Sequence, residues 1–185
     1  MIGIYIDNNV WDFLFERGMD LAHELPAPEF CLAITREAEF EIPPIPEEKA
    51  DLKAFIQRTV KAVVKTDYLF GFGNPAHPPN EQRVGGFDLG RFADESLLDF
   101  IRQQKTPLSD RLNEKTRLRK NEADLSIAAR SFTSVVITLD AKTKGPINAA
   151  YKAGGKIVYL TDFDKSGMSL REFIVAELAA RDAKT

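Results

Sequence analysis

The 185-residue chain carries 25 Lys and Arg against 28 Asp and Glu, a net charge of -3. As a whole it is therefore not a polybasic nucleic-acid binder, and any such contact must come from a local patch. Its single cysteine, Cys31, excludes an internal disulfide and a cysteine-based zinc site. No stretch approaches the length of a membrane span, and Asp7 interrupts the N-terminal apolar run too early for a signal peptide. The expectation is one domain over residues 1–185 in a reducing, cytoplasmic setting.

The first run, Ile2 to Ile6, is rich in β-branched residues and reads as a short buried strand. It ends in Asp7-Asn8-Asn9, and a helix is expected over about residues 10–24. Phe30 to Ile34 is a second strand, with Thr35 placed to cap a helix that opens at Arg36. Pro43 and Pro44 limit that helix to about two turns. Glu37 and Glu41, four apart, would share its face. A helical stripe covers 47–66, and residues 71–91, rich in Gly and Pro, read as a long loop or insertion within a surplus at about 65–110. A helix is expected over 93–104. Then comes the one basic cluster, Arg111, Lys115, Arg117, Arg119 and Lys120, for which a solvated helix face is the plain alternative. It leads into Asn121-Glu122-Ala123-Asp124 and a helix from Leu125. Val135 to Thr138 is a third strand, followed by Asp140. A short helix (145–153), a fourth strand (156–160) and a last helix (169–182) complete the chain. Strands alternating with helices imply an α/β fold: a central, mostly parallel sheet flanked by helices on both faces.

Carboxylates recur where strands give way to helices: Asp7, then Glu37 or Glu41, then Asp124 with Glu122 beside it, then Asp140. In a parallel sheet these ends converge on one edge, where ligands bind. Each acid has a plain alternative as a helix cap or a first-turn acid. Together they would repel one another unless a cation balanced them. Oxygen donors without clustered His or Cys suit Mg2+ or Mn2+, and such a site hydrolyses phosphodiesters with activated water.

These residues resemble the PIN-domain family of metal-dependent ribonucleases, over most of the chain outside 65–110. Ile4-Tyr5-Ile6-Asp7-Asn8-Asn9-Val10 is similar to the family's first strand and Asp-x-Asn turn. Ile34-Thr35 with Glu41-Ile42 is similar to the second motif, Asn121 to Ala129 to the third, and Val136-Ile137-Thr138-Leu139-Asp140 to the fourth. The resemblance implies a PIN-like α/β/α sandwich and an endoribonuclease using Mg2+ or Mn2+. Asp7, Glu41, Asp124 and Asp140 would be catalytic, with Glu37 and Glu122 as further metal-ligand candidates. Asn9 and Thr138 would orient the ligands, and the basic cluster would hold RNA. It also admits a toxin paired with an antitoxin-like protein, or a homodimer. The sequence departs from the pattern in two places. Glu37, Glu39 and Glu41 compete for one role, and Lys142 and Lys144 follow Asp140 where many members carry a second acid. The competing expectation is a PIN-like scaffold that no longer cleaves and binds RNA or protein instead.

Overall fold

The computed structural model describes residues 1–75, 77–104 and 112–183. In chain order, β1 (Ile2–Ile6) leads to α1 (Val10–Glu16) and α2 (Leu21–Glu24), then β2 (Phe30–Thr35) and α3 (Arg36–Glu39). Next come α4 (Ala50–Val63), β3 (Val64–Phe70), β4 (Val84–Gly85), β5 (Gly90–Arg91) and α5 (Glu95–Gln103). The chain ends with α6 (Glu122–Arg130), β6 (Val135–Thr138), α7 (Pro146–Lys152), β7 (Ile157–Tyr159), α8 (Phe163–Ser166) and α9 (Leu170–Asp182).

The strands form one seven-stranded sheet in the order β4-β3-β2-β1-β6-β7, with β5 also pairing β3. Every paired strand is parallel to its neighbour. β1 lies at the centre. The chain winds outward from it through β2 and β3 on one side, then returns to β6 and β7 on the other. The order reverses between β1 and β6, so the carboxyl ends of these two strands flank the topological switch point.

The side-chain period of two divides the core. Ile4, Ile6, Leu32 and Ile34 face Trp11, Leu14, Ile56 and Ile174 from α1, α4 and α9. Tyr5 and Val136 face Leu97, Phe100, Ile127 and Ile147 from α5, α6 and α7. Helices therefore cover both faces, as the alternating pattern implies. Residues such as Ile6 and Ile34, fully buried, each contribute about 1.5–3 kcal/mol by leaving water.

Three boundaries differ from the sequence reading. The helix expected over 10–24 breaks at Gly18, whose φ of +60° no helix interior adopts. The helix expected over 47–66 ends at Val63, and Val64–Phe70 is a strand paired with β2. β-Branched and aromatic residues at both ends of this run favour a pleated, half-buried strand. The sheet thus continues into the surplus at 65–110, and the Gly-rich loop itself holds β4 and β5. The short α3 ends at Glu39, capped by the Thr35 hydroxyl, which accepts from the Ala38 N–H at 3.1 Å. Glu41 lies beyond it, so Glu37 and Glu41 do not share a helical face.

Asp67 on β3 ties this outer half of the sheet to α6. One oxygen accepts from Arg91 Nε at 2.7 Å, the other from Arg130 Nε at 3.0 Å. Arg130 is only 1% exposed and also donates to the Ser126 hydroxyl and carbonyl. Arg91 donates to the Tyr5 hydroxyl at 3.3 Å. Removing one partner of a buried pair leaves the other charge unpaired. Asp67→Ala is expected to lower stability by about 3 kcal/mol, read as a fall in the urea midpoint at unchanged slope. Adding Arg130→Met should restore part of the loss; no recovery would mean that Asp67 does not act through Arg130.

Candidate functional site

The site begins with the end of β1. Asp7 follows Ile6 directly, and its N–H donates to the Ile137 carbonyl of β6 at 3.1 Å. Its Oδ2 accepts from the Thr138 hydroxyl at 2.6 Å and from Asn9 Nδ2 at 2.7 Å. Asn9 Oδ1 in turn accepts from the Leu139 N–H at 2.9 Å, and Thr138 Oγ1 accepts from the Asp140 N–H at 2.9 Å. The Asp7 side chain therefore does not cap α1. The residue at the cap position is Asn9, whose side chain makes no capping bond there. Asp7, Asn9 and Thr138 instead lock the exits of β1 and β6 together, and Thr138 is fully buried.

Asn8 joins the second motif to the first. Its Nδ2 donates to Glu41 Oε2 at 2.6 Å and to the Ala38 carbonyl at 2.8 Å, while its Oδ1 accepts from Trp11 Nε1 at 3.2 Å. Glu41 thus belongs to the Asp7 cluster. Glu37 does not: its Oε2 accepts from the Ser126 hydroxyl at 2.5 Å, within the Arg130 network. Glu122 is also engaged elsewhere, accepting from Arg83 Nε at 2.9 Å and from the Arg119 N–H at 2.7 Å. Asp124, in the first turn of α6, faces Asp7, Glu41 and Asp140. Asp140 is paired with Lys142, whose Nζ donates to Oδ2 at 2.9 Å; the carboxylate is 17% exposed and the lysine side chain 77%.

The electrostatics follow from this arrangement. Burial, together with the charges of Asp124 and Glu41, pushes Asp7 up to about 6 despite the Thr138 hydrogen bond. Burial raises Glu41, with Asp124 adding to it against the Asn8 hydrogen bond. Asp124 is raised by burial and by Asp140, with Lys142 opposing. Asp7, Asp124 and Asp140 act on one ammonium, that of Lys142, and Glu41 adds its charge to Asp7. Such a set takes up protons or a cation, and its oxygen donors suit Mg2+ or Mn2+ rather than a softer ion. The fit is one of chemistry and placement: among the described residues, no three of these side chains close around one point as a preformed metal site would.

A cavity of about 740 Å³ opens beside the acids, lined by Glu41, Glu114, Glu122 and Asp124 and by Lys115, Arg119 and Lys120. The basic stretch is a turn, not a helix. Leu112 and Arg119 form an antiparallel bridge, Asn113 Oδ1 accepts from the Lys115 and Thr116 N–H groups, and Arg117 has a φ of +59°. Arg117 is paired with Glu81 at 3.2 Å, and Arg111 lies outside the described residues. A second opening of about 280 Å³ lies on the far side of Asp124, lined by Asn121, Asp140, Lys142 and Asn148.

No family model matches the chain, and neither the curated proteins nor the solved structures compared with it give a match. The resemblance stated above rests on the motif residues alone.

The raised Asp7 has a consequence for stability. Below about pH 4 the carboxyl is protonated in folded and unfolded chains alike. Between about pH 4 and 6 the unfolded chain releases its proton first, so stability is lost as pH rises. Asp7→Asn keeps an acceptor for Thr138 and removes the charge. With EDTA present, the variant is expected to gain up to about 3 kcal/mol over wild type between pH 4 and 7, measured by urea denaturation. A stability difference that stays flat with pH would refute the account.

Proposed function

We propose that this chain is a Mg2+- or Mn2+-dependent endoribonuclease. The observation that carries the reading is the carboxylate Asp7, fixed at the switch point of the sheet by Thr138 and Asn9 and facing Glu41 and Asp124, the latter in turn facing Asp140. Asp7, Glu41, Asp124 and Asp140 would hold the cation. When bound, it would supply the positive charge that activates water and steadies the leaving oxygen in phosphodiester hydrolysis.

The chain's own residues do the rest. Thr138 and Asn9 fix one oxygen of Asp7 and leave the other free of both bonds. Asn8 does the same for Glu41, since outer hydrogen bonds orient a ligating carboxylate. Lys115, Arg119 and Lys120 draw the phosphate backbone towards the cavity that Asp124 borders, giving salt-dependent affinity without sequence preference. RNA rather than DNA is the substrate because the motif resemblance implies it.

One observation favours a second reading, a scaffold that no longer cleaves. Lys142 already neutralises Asp140, and a side-chain ammonium there opposes a cation. The two readings part in one experiment. Labelled single-stranded RNA is incubated with wild type and Asp7→Asn, in Mg2+, in Mn2+ and in EDTA. Cutting that needs metal and falls by at least about a hundredfold in the variant is expected, as for loss of an electrostatic stabiliser. Mn2+ should also raise the melting temperature of wild type and not of Asp7→Asn. Neither cutting nor a metal-dependent shift would leave the scaffold reading.

A further inference from the structure

A nuclease must hold its strand beyond the reacting bond as well as at it. Three phenylalanine rings stand in solvent at the carboxyl end of β3: Phe72 is 87% exposed, Phe87 83% and Phe92 75%. Scattered exposed aromatics are ordinary, but these are gathered around a fourth ring. The Phe70 centroid lies 4.8 Å from Phe92, 4.9 Å from Phe87 and 6.1 Å from Phe72. Glycine makes the gathering feasible. A Cβ on Gly90 would fall 2.5 Å from the Gly85 carbonyl and 2.6 Å from the Phe70 Cα. Only bare backbone lets β4 and β5 approach β3 so closely and set Phe87 and Phe92 beside Phe70. A bare apolar patch of this kind marks a binding surface.

Its position points to the occupant. Thr35 pairs with Asp67, and Ala33 with Tyr5, which puts Asp7 level with Asp67. Phe70 is three residues further along and two strands across, about 10 Å in each direction at ordinary sheet spacing. The rings therefore stand on the same edge as the acids, a few nucleotides away. Arg83, adjoining β4, is paired with Glu122 at the start of α6 and so ties the ring-bearing segment to that helix, and the exposed Lys115, Arg119 and Lys120 line, with Glu114 and Glu122, the cavity that ends at Asp124. Exposed rings on the edge that holds the carboxylate cluster, with exposed cations lining the cavity beside the acids, fit bases that stack and phosphates that follow. A protein partner docking by its apolar face would leave those cations without a counterpart.

We infer that Phe72, Phe87 and Phe92 form a stacking platform for the bases of single-stranded RNA. The inference takes its direction towards the acids from the nuclease reading above, but binding at the platform needs no metal. The test is the affinity of a dye-labelled single-stranded RNA of mixed sequence, measured in EDTA by fluorescence anisotropy. The variants are the triple Phe72→Ala, Phe87→Ala, Phe92→Ala and the matching triple to Tyr. The alanine triple is expected to bind at least about a hundredfold more weakly, with its melting curve unchanged because the rings are exposed. The tyrosine triple should keep wild-type affinity. The salt slope of the alanine triple should match wild type, whereas changing Lys115, Arg119 and Lys120 to Ala should flatten it. Unchanged affinity in the alanine triple overturns the platform. So does a wild-type dimer that the triple loses in sedimentation while RNA affinity holds, since the patch would then be a protein interface. Ring-dependent binding by a protein that fails to cut in either Mg2+ or Mn2+ supports the platform and sinks the nuclease reading. Metal-dependent cutting with ring-independent affinity does the reverse.

Discussion

A single carboxylate held between two parallel strands governs the arrangement of the site. Asp7 takes a hydroxyl from β6 and an amide from its own turn, and the same amide side chain receives a backbone N–H from the segment after β6. These bonds fix the separation of two strand exits that the sequence places 131 residues apart. They also hold a charge where water is scarce. Burial and two neighbouring acids oppose that charge more strongly than the hydrogen bonds support it. A protein organised for stability alone would place an amide or an apolar residue there. The strain is tolerated because β1 has no freedom to move away: it is paired on both edges and buried on both faces.

A second fixture sets the other wall. α6 carries Asp124, and its far end is anchored by Arg130 to Asp67 on β3. Asp67 also holds Arg91 from the outermost part of the sheet. The part of the chain that looks like an insertion is thus wired to the helix that presents an acid. Ser126 extends the wiring to Glu37 on α3. This explains why Glu37, for all its promising sequence position, serves α6 rather than the acid cluster.

The sequence made the parallel α/β arrangement legible because its inner strands, Ile2–Ile6, Phe30–Thr35 and Val135–Thr138, are short, apolar and bounded by caps or turns. It also marked Asp7, Asp124 and Asp140, since each follows a strand or opens a helix. β3 was hidden because its run continues a helix without a break and carries Lys65 and Asp67 at alternate positions. A strand whose side chains are mostly half-buried lacks the continuous apolar signature of its neighbours. Spacing favours Glu41 among Glu37, Glu39 and Glu41, but the helical face it was expected to share with Glu37 is absent because the helix stops before Glu41. Asn8 gave no local sign of its reach to Glu41, 33 residues away. Nor did Asp67 and Arg130, 63 apart, announce that they would meet. Such pairings are set by tertiary approach, and a linear pattern does not contain them.

The central place of β1 also shapes how the molecule comes to exist. Synthesis delivers this strand before any of its partners, and one of its edges waits for Val135 to arrive and pair with Ile4. Until then a flat, apolar, hydrogen-bonding edge lies open, the kind of surface that invites adventitious strand addition. Contacts of such long sequence separation also close late and slowly. The half of the sheet built from residues before β6 therefore leaves one edge of its central strand unpaired until β6 arrives. α1 and α4, which pack on one face of β1 and β2, precede β6 in the chain, so that face can be covered before the edge is.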